Sequence, residues 1–147
     1  YRIYCRKYKK GSIKLNNENV LNLMKKFVSR VKKNKKDNVN FVNKQLKKNK
    51  KIFLYGASTK GNTLLQYYGL TNKEIPYAAE RTKTKWGKYT VGSGVRIISE
   101  ENARKLNPDY FFVMPYGFIK EFIKREKKWL RSGGKFILPY PHFKILR

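Results

Sequence analysis

The chain is poor in the residues that do covalent and metal chemistry. It has one cysteine, Cys5, which excludes an internal disulfide and a cysteine-built metal cluster and makes a reducing cytoplasm the default compartment. Its single histidine, His142, lies in Pro139-Tyr140-Pro141-His142-Phe143 and has no companion base or metal ligand beside it. Only 9 residues are acidic, and none pair at helical spacing around a polar cleft, so no general acid–base constellation emerges. No apolar run approaches the roughly 20 residues that cross a bilayer, and no signal peptide precedes the first predicted strand. The pattern is that of a protein that binds rather than reacts.

What is abundant is positive charge. There are 36 Lys and Arg among 147 residues, giving a formal net charge of +27. Clustered basic residues attract phosphate backbones, so a basic nucleic-acid-binding module is one reading. Against it, the excess is Lys (27, with 9 Arg), whereas base readout and phosphate forks favour Arg. Asn, Tyr, Phe and Ile are also plentiful and Ala is scarce, at 4. The enriched residues share A/T-rich codons, so codon bias with a solvated surface explains the same excess. The two readings separate on whether the lysines gather on one face.

With 40% apolar residues the chain can fold as one modest α/β domain. Arg2-Ile3-Tyr4-Cys5-Arg6 alternates like a strand. Val20, Leu21, Met24, Phe27, Val28 and Val31 recur at intervals of three and four and predict an amphipathic packing helix over 19–36. Val39, Val42 and Leu46 continue the period, so that helix either runs on or breaks near Asp37-Asn38. Beyond it, strand-like runs at 52–55, 77–79, 95–98, 110–114 and 135–138 alternate with helix-like runs at 62–68, 100–106 and 119–131. Ser99 before Glu100 and Glu101 is a helix start, and Ser132-Gly133-Gly134 a helix stop. Such alternation predicts a Rossmann-like, doubly wound, mostly parallel sheet of about five strands, preceded by a long amphipathic helix.

One loop stands out. Gly56-Ala57-Ser58-Thr59-Lys60-Gly61-Asn62-Thr63 joins the strand Ile52-Phe53-Leu54-Tyr55 to a helix, where backbone N–H groups and the positive end of a helix dipole face whatever lies in front. Lys60 adds a charge, so the expected guest is an anion, a phosphate above all. The loop is not a Walker A motif, because Gly61 is followed by Asn62 rather than Lys. It keeps the outer two glycines of the dinucleotide fingerprint, with Ser58 in place of the middle one. Glu80 ends the next strand 19 residues after Gly61, where an acid holds a ribose hydroxyl in that fingerprint. A tight turn with no ligand is the alternative.

A second cluster, from Glu80 through Arg81, Lys85, Trp86, Lys88 and Tyr89 to Gly94, follows the second strand and is long for a connection in a compact domain. Arg81, Lys85 and Lys88 offer charge, and Trp86 and Tyr89 offer flat faces; Trp86 alternatively only pins the loop. Met114-Pro115-Tyr116-Gly117-Phe118 closes the fourth strand at the same carboxyl edge, where Tyr116 is placed to stack or hydrogen-bond.

Tyr55-Gly56-Ala57-Ser58-Thr59-Lys60-Gly61-Asn62-Thr63-Leu64-Leu65, then Glu80-Arg81, then Lys85-Trp86-Gly87-Lys88-Tyr89-Thr90, and finally Ser132-Gly133-Gly134-Lys135-Phe136-Ile137-Leu138-Pro139, occur in one order. Together they resemble the C-terminal domain of S-adenosylmethionine-dependent sugar C-methyltransferases, over 51–146. The resemblance implies a parent with a small zinc-binding N-terminal domain and a central methyl-donor domain, the latter carrying the catalytic residues. It implies that this domain holds a nucleotide-diphosphate sugar against the central one. Residues 1–10 then correspond to the last strand of the methyl-donor domain, 11–50 to a helical connection, and 51–147 to the Rossmann-like substrate-binding domain. Two positions depart from the family pattern: Glu80 stands where an aspartate is usual, and Tyr116-Gly117 where an aromatic-Asn pair is expected.

The sequence thus predicts a cytoplasmic piece of a longer transferase, since the chain opens on Tyr1 rather than Met. Alone it is expected to be inactive, to bind no methyl donor, and to contact neither membrane nor, on the favoured reading, nucleic acid. Loop 56–63 is expected to take the phosphates, Lys60 to neutralise them, and Glu80 to accept from a hydroxyl. Arg81 and Lys85 add charge, while Trp86, Tyr89 and Tyr116 form the wall. A free-standing nucleotide-binding Rossmann-like domain is the remaining alternative, disfavoured by Ser58.

Overall fold

The computed structural model describes residues 17–147; the strand expected at Arg2–Arg6 and the thiol of Cys5 lie outside the described residues. The first element among the described residues is one continuous helix, α1 (Asn17–Leu46). The three-and-four spacing therefore carries through Asp37-Asn38 without a break. The chain divides inside this helix into two compact units, Tyr1–Lys32 and Lys33–Arg147. In the first, Leu21, Met24, Phe27 and Val28 are exposed among the described residues. In the second, the same periodicity turns Val42 fully inward.

The second unit is an α/β sandwich built from β1 (Ile52–Tyr55), α2 (Thr59–Tyr68), β2 (Tyr77–Glu80), β3 (Arg96–Ser99), α3 (Glu100–Lys105), β4 (Tyr110–Val113), α4 (Ile119–Arg125), α5 (Lys127–Arg131), β5 (Lys135–Leu138) and β6 (Lys144–Leu146). The six strands lie in the order β3-β2-β1-β4-β5-β6. All neighbours are parallel except β5 and β6, which pair antiparallel with Ile137 opposite Ile145. The sheet is thus the expected doubly wound one, with an added edge strand. Residue Lys144 and its neighbours are too few and too mixed in polarity to announce a strand; pairing with β5 makes them one.

Each central strand is buried on both sides, and its period of two sorts side chains between two cores. Ile52 and Leu54 join Val42, Leu65, Tyr68, Phe112 and Ile137 on the face covered by α1 and α2. Phe53 and Tyr55 join Ala103, Phe111, Val113, Phe122 and Phe136 on the face covered by α3 to α5. The registers Leu54↔Phe112 and Tyr55↔Val113 keep the two sets apart.

Local chemistry sets the helix ends. Ser99 caps α3 by accepting from the Asn102 N–H at 3.1 Å, and Glu100 and Glu101 sit in its first turn. The single helix expected at 119–131 is interrupted at Glu126, which separates α4 from α5. Glu126 is 2% exposed, and its Oε1 accepts from the Tyr55 hydroxyl and from Arg104 Nη1, each at 2.7 Å. Arg125 Nε donates to the same Tyr55 oxygen at 3.1 Å. Burial first, and then the bond to Glu126, push the Tyr55 phenol well above its ordinary pKa, so it stays a donor. At the stop, a Cβ on Gly134 would lie 2.2 Å from the Trp129 ring, which leaves only glycine.

A candidate anion and nucleotide crevice at the sheet switch point

The strand order reverses between β1 and β4, and the loops leaving the carboxyl ends of these two strands meet there, which makes this switch point the candidate ligand crevice of an open α/β sheet. The β1 loop is tightly built. Gly56 has φ +84°, and a Cβ on it would come within 2.9 Å of the Pro115 ring. Its N–H donates to Ala79 O at 2.7 Å. Ser58 is the N-cap of α2: its Oγ accepts from the Gly61 N–H at 3.1 Å, and its carbonyl accepts from Asn62 N at 3.0 Å. A Cβ on Gly61 would meet Met114 Cβ at 2.7 Å. The two glycines therefore let the β1 loop and the start of α2 press onto the end of β4. Thr59, Lys60 and Thr63 are exposed on the first turns of α2, and Asn62 is half-buried.

The carboxylate of Glu80 fits into this loop. It is 8% exposed. Oε2 accepts from Ala57 N at 2.9 Å and from Lys85 Nζ at 3.4 Å, while Oε1 accepts from Arg81 N at 3.0 Å and Thr82 N at 2.9 Å. Burial acts to raise its pKa, but the N–H donors of Thr82 and Ala57, with the charge of Lys85, outweigh it and hold the carboxyl below its ordinary value. Lys85 Nζ also donates to Ala57 O at 3.0 Å, and Trp86 Nε1 donates to Glu80 O at 2.8 Å. Glu80, Lys85 and Trp86 thus tie the second loop to the first. The Glu80 oxygens already hold about the number of donors a carboxylate can accept.

The remaining positions separate. Tyr116 lies beside the crevice, one residue beyond Pro115, and its ring packs edge-on against Tyr140 with centroids 5.2 Å apart. Arg81 is three-quarters exposed and pairs with Glu121 at 3.6 Å, towards α4. Residues 87–90 run back antiparallel to β3, with Gly87 N bonded to Ile97 O and Tyr89 opposite Arg96, the first residue of that strand. This path takes Tyr89 towards the amino edge of the sheet, away from Tyr116, and Lys88 goes with it. Loop 90–94 ends against α2 and its connection, where Asn72 N donates to Ser93 O.

Two participants escape a reading of the sequence alone. Pro115 is the surface against which Gly56 closes, and Tyr140 completes the aromatic pair. The available signal for Tyr140 is that β5 neighbours β4 in a doubly wound sheet, which brings a residue shortly after β5 to the same edge.

An open cavity of about 530 Å³ lies elsewhere, lined by Phe41, Tyr110, Lys135, Ile145, Leu146 and Arg147. Tyr110 and Lys135 begin β4 and β5, so this cavity is at the amino edge, opposite the crevice. Among the described residues no group of three or more His, Cys, Asp or Glu side chains gathers to hold a metal, and no helix is long and apolar enough to cross a membrane.

The chain is 39% identical over 92 residues to the C-methyltransferase NovU of Streptomyces niveus, a match covering 63% of this chain and 22% of that protein. The chain therefore spans about a fifth of the length of the curated relative it matches. The family model described as the C-methyltransferase C-terminal domain matches residues 13–141, which take in α1 and every strand but β6. The chain belongs to the C-methyltransferase C-terminal domain family.

Proposed function

We propose that the chain is the C-terminal part of an S-adenosylmethionine-dependent sugar C-methyltransferase, and that the crevice between the β1 and β4 loops holds the nucleotide-diphosphate sugar. The observation that carries this reading is the Ser58-capped start of α2 placed at the switch point of the sheet, inside a domain of this family. Thr59 and Lys60, at the start of α2, face the diphosphate, and Tyr116 walls the crevice. Glu80 positions the loop. For it also to accept from a substrate hydroxyl, the long 3.4 Å contact with Lys85 must give way, leaving the Lys85 ammonium held by Ala57 O.

The chain's own residues do not fit a methyl donor. The Ala57 N–H is taken by Glu80, Pro115 closes on Gly56, and Met114 closes on Gly61, so the β1 loop has no open glycine cradle. Methyl transfer is assigned to a preceding donor domain, and this chain alone is inactive; any zinc likewise belongs outside it. The amide spectrum of the labelled chain, titrated with a nucleoside diphosphate, tests the placement. Shifts concentrated at 57–62 and 116–118 are expected. Shifts confined to the Phe41–Tyr110–Lys135 cavity, or none, would refute it.

A further inference from the structure

We infer that Tyr116 and Tyr140 together form the platform on which the base of the nucleotide stacks. This rests on the reading of the crevice as a nucleotide-sugar site. The two residues follow adjacent strands, β4 and β5, and their rings meet at 68° with centroids 5.2 Å apart. They remain 40% and 49% exposed, respectively. Two large aromatic side chains braced edge-on against each other, each with about half its surface in water, hold an exposed ring face in a preformed orientation, the second ring walling its side.

Position selects the base over the sugar. The platform begins one residue beyond Pro115, the side chain that touches Gly56 of the anion loop. One ribose separates a base from its diphosphate, so phosphates at the start of α2 bring the base to this neighbouring pair. The sugar, at the other end of the diphosphate, must face the methyl donor, for which this chain has no cradle. Anchoring the unreactive end here leaves the reacting end free to be aligned elsewhere.

The test is calorimetric titration of the 147-residue chain with a nucleoside diphosphate and with inorganic pyrophosphate. Stacking on an aromatic ring supports a loss of roughly five- to a hundredfold in nucleoside diphosphate affinity for Tyr140→Ala. Tyr140→Phe should bind as the wild type does, because the ring and not the hydroxyl is used. Pyrophosphate affinity should be unchanged in both variants. If the wild-type chain binds the nucleotide and Tyr116→Ala and Tyr140→Ala bind it equally well, the platform is refuted while the crevice reading stands. If Tyr140→Ala weakens pyrophosphate as much as the nucleotide, the pair shapes the loop and the platform is likewise refuted. If the wild-type chain binds no nucleoside diphosphate, both readings fall. Both rings are well exposed, so neither substitution removes a core contact.

Discussion

Glu80 has the most consequential single environment in the chain. Its carboxylate gathers three backbone N–H groups and one ammonium, and so ties the loop after β1 to the loop after β2. Glu80→Gln keeps the shape but turns an NH₂ group towards donors, leaving at least one unsatisfied at a cost of about 1–3 kcal/mol. The pH dependence follows from the direction of its shift. The folded-state pKa is below the ordinary 4.5, so the unfolded chain takes up the proton first on acidification. The stabilisation from this group is full above about pH 4.5 and disappears as pH falls through the lowered value. Urea unfolding should therefore separate wild type from Glu80→Gln clearly at about pH 7, with the gap narrowing below about pH 4. A gap that widened in acid would show that the carboxylate does not stabilise the fold. An acid at this position was legible in the sequence, as was its place at the end of β2. Its partners were not, because they are backbone N–H groups whose directions depend on how the following chain turns.

Among the elements, the join between α4 and α5 shows what periodicity conceals. The apolar spacing over 119–131 is compatible with one helix, but Glu126 turns inward to meet Tyr55, and the helix breaks there. Arg104 and Arg125 bring α3 and α4 to the same cluster, with Arg125 also 3.3 Å from Glu100. This network links the end of β1, which launches the loop 56–58, to the helices on the far face. Removing a buried partner from such a network costs about 3–5 kcal/mol. Arg104 is 40% exposed and can recover some hydration, so Glu126→Ala should cost about 3 kcal/mol, at the low end of that range. A shift in the urea midpoint equivalent to well under 1 kcal/mol would mean that the ion pairs are surface pairs in effect. The strands β1 to β5 were readable because central parallel strands are short, continuous apolar runs between helical patterns. The edge strand β6 was not readable, because its identity comes from pairing with β5 rather than from its residues. The path of 87–90 along β3 was hidden for the same reason, and it decides that Tyr89 and Tyr116 do not share a wall.

At the scale of the molecule, the basic charge is spread over both sides of the sheet. Lys35, Lys36 and Lys44 lie on α1, while Lys120, Lys124, Lys127 and Lys128 lie on α4 and α5, which cover the other face. Acids are few, and several are spent on ion pairs with Lys50, Arg81, Arg104 and Arg125. Charge on both faces differs from the arrangement of a duplex-binding module, which concentrates it in one stripe. At the start of α2, Lys60 sits against the sign of the helix dipole. The central claim is that an anionic nucleotide makes that arrangement useful. The direct measurement is calorimetric titration of wild type and Lys60→Ala with the same nucleoside diphosphate. An unchanged fold with affinity lowered about ten- to a hundredfold is expected, as for the loss of one charge-assisted contact; equal affinity in the two proteins would reduce the loop to a structural turn.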